Sequence, residues 1–418
     1  MSWQPVLSGT DAAEARETAQ RIVSYMQLEL SQRSQSKPSW NLINGLAGFA
    51  LTLDYAHRCG LDVPSSLATD LVLEGVLLAT NDPDASLYFG LAGLGWVGDV
   101  IGAWTSSGPD LAEEFDMQLT EMLSRSFPPN AHGLFRGLAG LGVYALQRIH
   151  RTGPDNAALI VQRLKEGAIT DGLGTTWSTD SRVMLPPAGG STWFSMGLPH
   201  GLLAVICFLA MAVRARIPGA DELLRSSARW LHSQRISSRP GQCFPAGIDG
   251  HRRTSPDRLA WCYGDLPVAL TLLQAGMAAS EQSWINTARD VAMLAASAPL
   301  FDPVECSLCH GGSGIGFSFA YLYNTLGLPE LLGESQRWLS RTLHRRSPGA
   351  PYEGYQMLFE NPRDASFVPR WSSSGEFLRG AGGIALALLA GSETVPPKWA
   401  SALMLPWNPP TTCEGRVR

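Results

Sequence analysis

Seven glycine-led apolar segments spread along 418 residues predict an all-α chain folded as an α/α toroid, with about seven inner helices ringed by seven outer ones and small loop or hairpin insertions. Three observations carry this expectation. First, the string Gly-Leu-Ala-Gly recurs at residues 45–48, 90–93 and 137–140. Related heads stand further along the chain as Pro199-His200-Gly201-Leu202, Cys262-Tyr263-Gly264-Asp265, His310-Gly311-Gly312-Ser313 and Arg379-Gly380-Ala381-Gly382. Second, the first glycines, at 45, 90, 137, 201, 264, 311 and 380, lie 45 to 47 residues apart in three of six intervals and 63 to 69 in the rest. A period near 45 has room for two helices and two connections. Third, the stretch after each glycine is apolar nearly all round, as in residues 315–323 and 384–390, whereas stretches between, such as 222–234 and 281–297, are amphipathic.

Each unit therefore reads as one enclosed inner helix and one outer helix that buries a single face. Glycine is unfavourable inside a helix, but at a crowded helix start it lets two backbones approach closely. A propeller blade has a similar period but needs four strands, which these Leu/Ala-rich segments do not supply. The long intervals at residues 170–195 and 237–257 carry Gly, Pro and β-prone residues and predict small hairpins or loops beside the open end. Residues 1–418 read as one domain.

With 45 % hydrophobic residues the chain can bury a large core. Its net charge of −5, with both signs interspersed, gives no electrostatic footprint for nucleic acid. The clusters His251-Arg252-Arg253 and His344-Arg345-Arg346 read as solvated loops. The first twenty residues are polar and acidic, so nothing in them directs export, and no apolar run reaches the roughly 18 residues of a membrane span. The chain reads as cytoplasmic. Its seven cysteines (Cys59, Cys207, Cys243, Cys262, Cys306, Cys309, Cys413) then favour free thiols or metal ligands over a disulfide framework.

Two heads carry metal-ligand chemistry: Trp261-Cys262-Tyr263-Gly264 and Cys309-His310-Gly311. Two thiolates and an imidazole supply three of the four ligands of tetrahedral zinc, and an open fourth position is the catalytic arrangement. If every glycine opens an inner helix, all seven heads meet at one end of the toroid, where helix dipoles favour thiolates. Cys262, Cys309 and His310 are thus the expected ligands, with Cys306 a bystander; a closed four-ligand site that includes Cys306 is the alternative. Cys306-Ser307-Leu308-Cys309-His310 also matches a c-type haem attachment pattern, but that pattern needs export. His200 heads the fourth unit and is the candidate general acid/base; Arg258, four residues before Cys262, is a candidate for stabilising an anion. Trp261 and Tyr263 flank the ligand. No phosphate-binding Gly-x-x-x-x-Gly-Lys-Ser/Thr string and no nucleophile elbow is present.

With these heads the chain resembles the lanthionine synthetase C family of lanthipeptide cyclases over nearly its whole length. The signature segments are Pro199-His200-Gly201, Trp261-Cys262-Tyr263-Gly264 and Cys309-His310-Gly311. The resemblance implies one zinc on Cys262, Cys309 and His310, and active-site roles for His200, Arg258, Trp261 and Tyr263. It implies Michael-type addition of a precursor-peptide cysteine to dehydroalanine or dehydrobutyrine. It also implies a separate dehydratase, an exporter as a further companion, and a cytoplasmic enzyme that is at most peripheral at the membrane. One departure stands out. Family members commonly carry an aspartate four residues before the third-repeat glycine, where this chain has Gly133, preceded by His132. Competing readings are addition of glutathione or another small thiol, a zinc-bearing scaffold that binds peptide without catalysis, and other toroid enzymes. A glycosidase needs a carboxylate pair, whereas these heads offer Cys and His.

Overall fold

The computed structural model describes residues 2–33, 39–79, 84–104, 110–125, 127–128, 130–179, 193–249, 252–254, 258–298, 305–359 and 368–407. Seven inner helices start at the seven predicted glycines: α2 (Leu46–Arg58), α4 (Leu91–Ile101), α6 (Leu138–Gln147), α8 (Leu202–Arg214), α10 (Asp265–Ala279), α12 (Gly312–Leu326) and α14 (Ala381–Ser392). Each packs on the next, and α14 returns to α2, which closes the ring. Outside it lie α1 (Gly9–Ser31), α3 (Leu67–Ala79), α5 (Glu113–Ser124), α7 (Gly153–Glu166), α9 (Ala220–Ser233), α11 (Gln282–Ala296) and α13 (Pro329–His344). The fold is the α/α toroid that the repeats predict.

Sequence pattern explains which helix goes where. In α14, eleven of twelve residues are buried, so it needs apolar or small residues on every side. In α9 the buried set is one stripe, Leu223, Leu224, Ser227, Ala228, Trp230 and Leu231 following Ala220, which matches its amphipathic pattern. The chain ends close the circle together. Helix α1 covers α14, the amides of Val6 and Leu7 both donate to the Gly391 carbonyl at 2.8 Å, and the Trp3 indole donates to Ala390 at 2.7 Å.

The glycines are required by close approach more than by unusual dihedrals. A Cβ on Gly93 would lie 1.9 Å from the Leu87 carbonyl oxygen, and one on Gly314 would lie 1.9 Å from that of Leu308. Neither distance is tolerable, so at these two helices the preceding turn folds against the helix start only if that position is bare; the fourth and fifth heads carry Ala204 and Pro267 there instead. Gly264 alone among the head glycines also needs a positive φ, +106°.

The long intervals do hold short strands. β1 (Ile169–Asp171) and β2 (Gly174–Thr176) form a hairpin, but it packs on outer helix α9 instead of the mouth, with the Trp230 indole donating to Asp171 at 3.3 Å. β3 (Trp193–Ser195), β4 (Gly247–Asp249) and β5 (Arg252–Thr254) join the two intervals into one antiparallel sheet beside the heads, in the order β3-β4-β5. Parts of both predicted windows, residues 180–192, 250–251 and 255–257, lie outside the described residues, as do His251 and Cys413. A third hairpin, β6 (Met357–Phe359) with β7 (Arg370–Ser372), was not expected.

Nor was the filling of the ring. A 3₁₀ helix at Lys398–Leu403 and the residues after it enter the middle of the toroid, where Trp399, Ala400, Ala402, Leu403, Met404 and Leu405 are at most 1 % exposed. Side chains of the inner wall hold this plug by its carbonyls. Tyr88 donates to Ala402 at 2.8 Å, Trp261 to Leu403 at 3.0 Å, Gln274 to Met404 at 2.8 Å and Tyr321 to Pro406 at 3.1 Å. These bonds satisfy carbonyls that would otherwise be stranded in an apolar lumen.

Candidate metal centre

The seven heads are stitched by main-chain hydrogen bonds between equivalent residues, each two positions before its glycine. Ile43 donates to Tyr88, Tyr88 to Phe135 and Phe135 to Pro199, at 3.1 to 3.3 Å. Pro199 has no N–H, and Leu198 donates to Cys262 in its place, at 3.0 Å. Cys262 then donates to Cys309 at 3.3 Å and Cys309 to Leu378 at 3.1 Å. This stitching brings Cys262 and Cys309, 47 residues apart in sequence, side by side. The residue after each, one before the glycine, is less buried and faces the rim: Asn44, Phe89, Arg136, His200, Tyr263, His310 and Arg379.

Cys262, Cys309 and His310 each offer one ligand atom, and these atoms lie within 4.8 Å of one another. Both thiols are buried, at 5 % and 9 % exposed. A hydrogen bond from Cys309, assisted by His310 and by the charge of Arg258, holds the Cys262 thiol below its usual range against the effect of burial. The same hydrogen bond and burial push Cys309 up, so the pair shares one negative charge. Burial opposes charge on His310, yet its contacts with Cys262 and Glu305 outweigh that and raise it to about 9. Cys306 stays apart, as expected: its thiol packs against Thr342 and Arg345, and burial pushes it up to about 11. All six described cysteines are free.

The other predicted residues share this end but differ in setting. Arg258 is exposed and near enough to act electrostatically on Cys262 and Tyr263. The Tyr263 hydroxyl lies 2.9 Å from Ser195 Oγ, which ties the Cys262 head to β3, and burial raises its pKa. Trp261 is fully buried and points its indole at the plug, away from solvent. His200 is half-buried, edge-on to Phe135 with centroids 5.1 Å apart. A Cβ on Gly133 would lie 3.0 Å from the His200 Cα, so position 133 abuts His200, but no acid is there. His132 is buried with no hydrogen bond to either ring nitrogen, and burial, aided by His200, pushes it down to about 4.

Two residues escaped the sequence reading. Glu305 places Oε1 2.9 Å from His310 Nε2 and is only 4 % exposed. Arg379 sits at the rim position of the seventh head and acts on Cys309 and Glu376. Its place in the repeat, one before Gly380, was the available signal.

Residues 36–404 match the family model described as "Lanthionine synthetase C-like protein". The chain belongs to the lanthionine synthetase C-like family. Its fold is also that of a solved structure titled "Nisin cyclase", with a TM-score of 0.67 at 18 % identity, covering 93 % of this chain and 97 % of that one. A structure of an unsaturated glucuronyl hydrolase specific for heparin matches less well, with a TM-score of 0.41 at 12 % identity over 79 % of this chain and 97 % of that one. For this LanC-like chain, no helix among the described residues is long and apolar enough to cross a membrane.

Proposed function

We propose that this chain is a zinc-dependent cyclase that closes (methyl)lanthionine thioether rings in a dehydrated precursor peptide, with residues 1–418 acting as one catalytic domain. The observation that carries the reading is the convergence of two thiols and an imidazole at adjacent heads, with His200 one head away on the same rim. Two sulfurs and one nitrogen suit zinc and leave a fourth position for substrate. Bound there, zinc would bring the pKa of an incoming substrate thiol towards neutrality.

The chain's own residues do the remaining work. The substrate thiol loses its proton and its sulfur bonds to the β-carbon of the dehydrated residue. The alkene pair moves onto the neighbouring carbonyl as an enolate, and a proton returns to the α-carbon, so the net reaction is an addition. Arg258 supplies positive charge on the rim where that negative charge develops. His200 is assigned the returning proton. Tyr263, tied to Ser195, and Trp261, tied to the plug, position the head that bears Cys262. The partner is a dehydrated peptide lying along the rim beside the β3-β4-β5 sheet. A separate dehydratase has to make that peptide, an exporter is a further companion, and the reading puts the enzyme in the cytoplasm or peripherally at the membrane.

The test is ring closure in a dehydrated precursor, read by loss of alkylatable cysteines and by ring-specific fragmentation, against an enzyme-free control. Acceleration by the zinc-loaded chain supports the cyclase. Tight binding of zinc and peptide without acceleration favours a scaffold, a second reading motivated by the bare Gly133 beside His200. Faster addition of glutathione than of the peptide's own cysteines would redirect the assignment to small-thiol transfer.

A further inference from the structure

We infer that Glu305 is a positioning residue of the metal centre: it holds His310 by Nε2, which turns Nδ1 to the two thiols, and the β6–β7 hairpin holds Glu305 in turn. This rests on the zinc reading above. An imidazole that donates from one nitrogen presents a lone pair on the other, so the Nε2 contact at 2.9 Å selects Nδ1 as the ligand atom. Glu305 is itself fixed on both oxygens. Ser307 Oγ donates to Oε1 at 2.6 Å, and the Leu358 amide donates to Oε2 at 3.0 Å. A buried carboxylate is costly unless paired and hydrogen-bonded, and here every contact also serves to aim His310.

Leu358 is well placed for this. In β6 it lies opposite Trp371, while its neighbours Met357 and Phe359 pair with Ser372 and Arg370. Its main-chain groups both turn outward to the ring: the N–H goes to Glu305 and the carbonyl accepts from Arg379. One strand residue thus links the support of His310 to the rim arginine of the seventh head. The hairpin, unexpected from sequence, becomes part of the metal centre.

The experiment measures zinc affinity of the full chain by competition with a chromophoric chelator, and the absorption of the cobalt-loaded protein. Glu305→Gln keeps the shape but loses the charge and turns an amide N–H on the Leu358 N–H. It should weaken zinc about 10- to 100-fold and shift the cobalt ligand-field bands, with thiolate charge-transfer bands retained. Leu358→Pro removes the donor to Oε2, along with the leucine side chain and the freedom of φ, and should weaken zinc by a smaller factor, provided that circular dichroism and the denaturation midpoint show the fold retained; it decides the matter if Glu305→Gln fails to fold. Both variants binding zinc within about twofold of wild type, with unshifted cobalt spectra, would overturn the inference while leaving the cyclase reading intact. A wild-type chain that takes up no metal would overturn both.

Discussion

The heads of the fifth and sixth repeats differ from those of the first three in side chains more than in backbone, where the positive φ of Gly264 is the main departure. Ile43-Asn44, Tyr88-Phe89 and Phe135-Arg136 occupy the same two positions as Cys262-Tyr263 and Cys309-His310, and the same ladder of main-chain bonds runs through both arcs. In the first arc those positions pack. Tyr88 and Phe135 have centroids 4.4 Å apart, and the Arg136 guanidinium lies 3.9 Å above the Phe89 ring. In the second arc the same positions gather metal donors. The repeat thus fixes two positions per head, and three side chains over two heads, Cys262, Cys309 and His310, separate an arc of wall from an arc of metal-ligating groups.

The comparison breaks most sharply at Cys309. Cys309→Ala should take zinc from one per chain to almost none by elemental analysis, whereas Cys306→Ala, three residues earlier, should leave the metal in place. The reverse result would mean that the ring position does not select the ligand. His200 lies where the two arcs meet. His200→Ala should slow ring closure by about 10²–10⁴-fold with zinc retained; undiminished activity would remove its role as proton donor and leave the metal arc to work alone.

The shared backbone is tested at Gly93, in the first arc and outside the Cys262–Cys309–His310 cluster. Its Cβ would meet a main-chain carbonyl at 1.9 Å, which cannot yield as a flexible side chain can. Gly93→Ala should therefore destabilise the fold by about 3 kcal/mol, read as a lower denaturation midpoint. A harmless substitution would show that the turn before α4 can give way as the fourth head does, which carries Ala204 at the same position. The smallest effect concerns His132, under the His200 head. A folded pKa near 4 against 6.5 means that the unfolded chain takes up the proton first as pH falls. The contribution is present above about 6.5 and is lost as pH falls from there to about 4. Between pH 7 and 5 the wild type should lose about 2 kcal/mol through this residue, and His132→Leu should show a correspondingly flatter pH dependence in urea titrations.

Legibility follows how much of a feature is local. The seven inner helices were readable because each announces itself with a glycine and an apolar run, and Cys262, Cys309 and His310 because they stand at fixed offsets from those glycines. The role of Trp261 at the plug was not readable, since Leu403 is 142 residues away. Glu305 carries no pattern of its own. Five residues before His310, it matters only because the tight turn brings it back to Nε2. The plug itself reads as an apolar tail after the last repeat, and nothing in residues 398–405 says that they fold inward. The β1–β2 hairpin was foreseen in kind but not in place, because which wall a short strand leans on depends on Trp230, far along the chain.

That inward-folded tail has a consequence for any long substrate. A hollow ring would let a peptide thread from one face to the other, advancing like a cord through a bead. With Trp399 to Leu405 packed across the middle, the ring is a cup and not a bore. Under the proposed function, a precursor with several cysteines would dip into the rim and leave the way it came. Successive rings would then form in separate visits, in an order set by how readily each segment reaches the rim and not by its position along the chain.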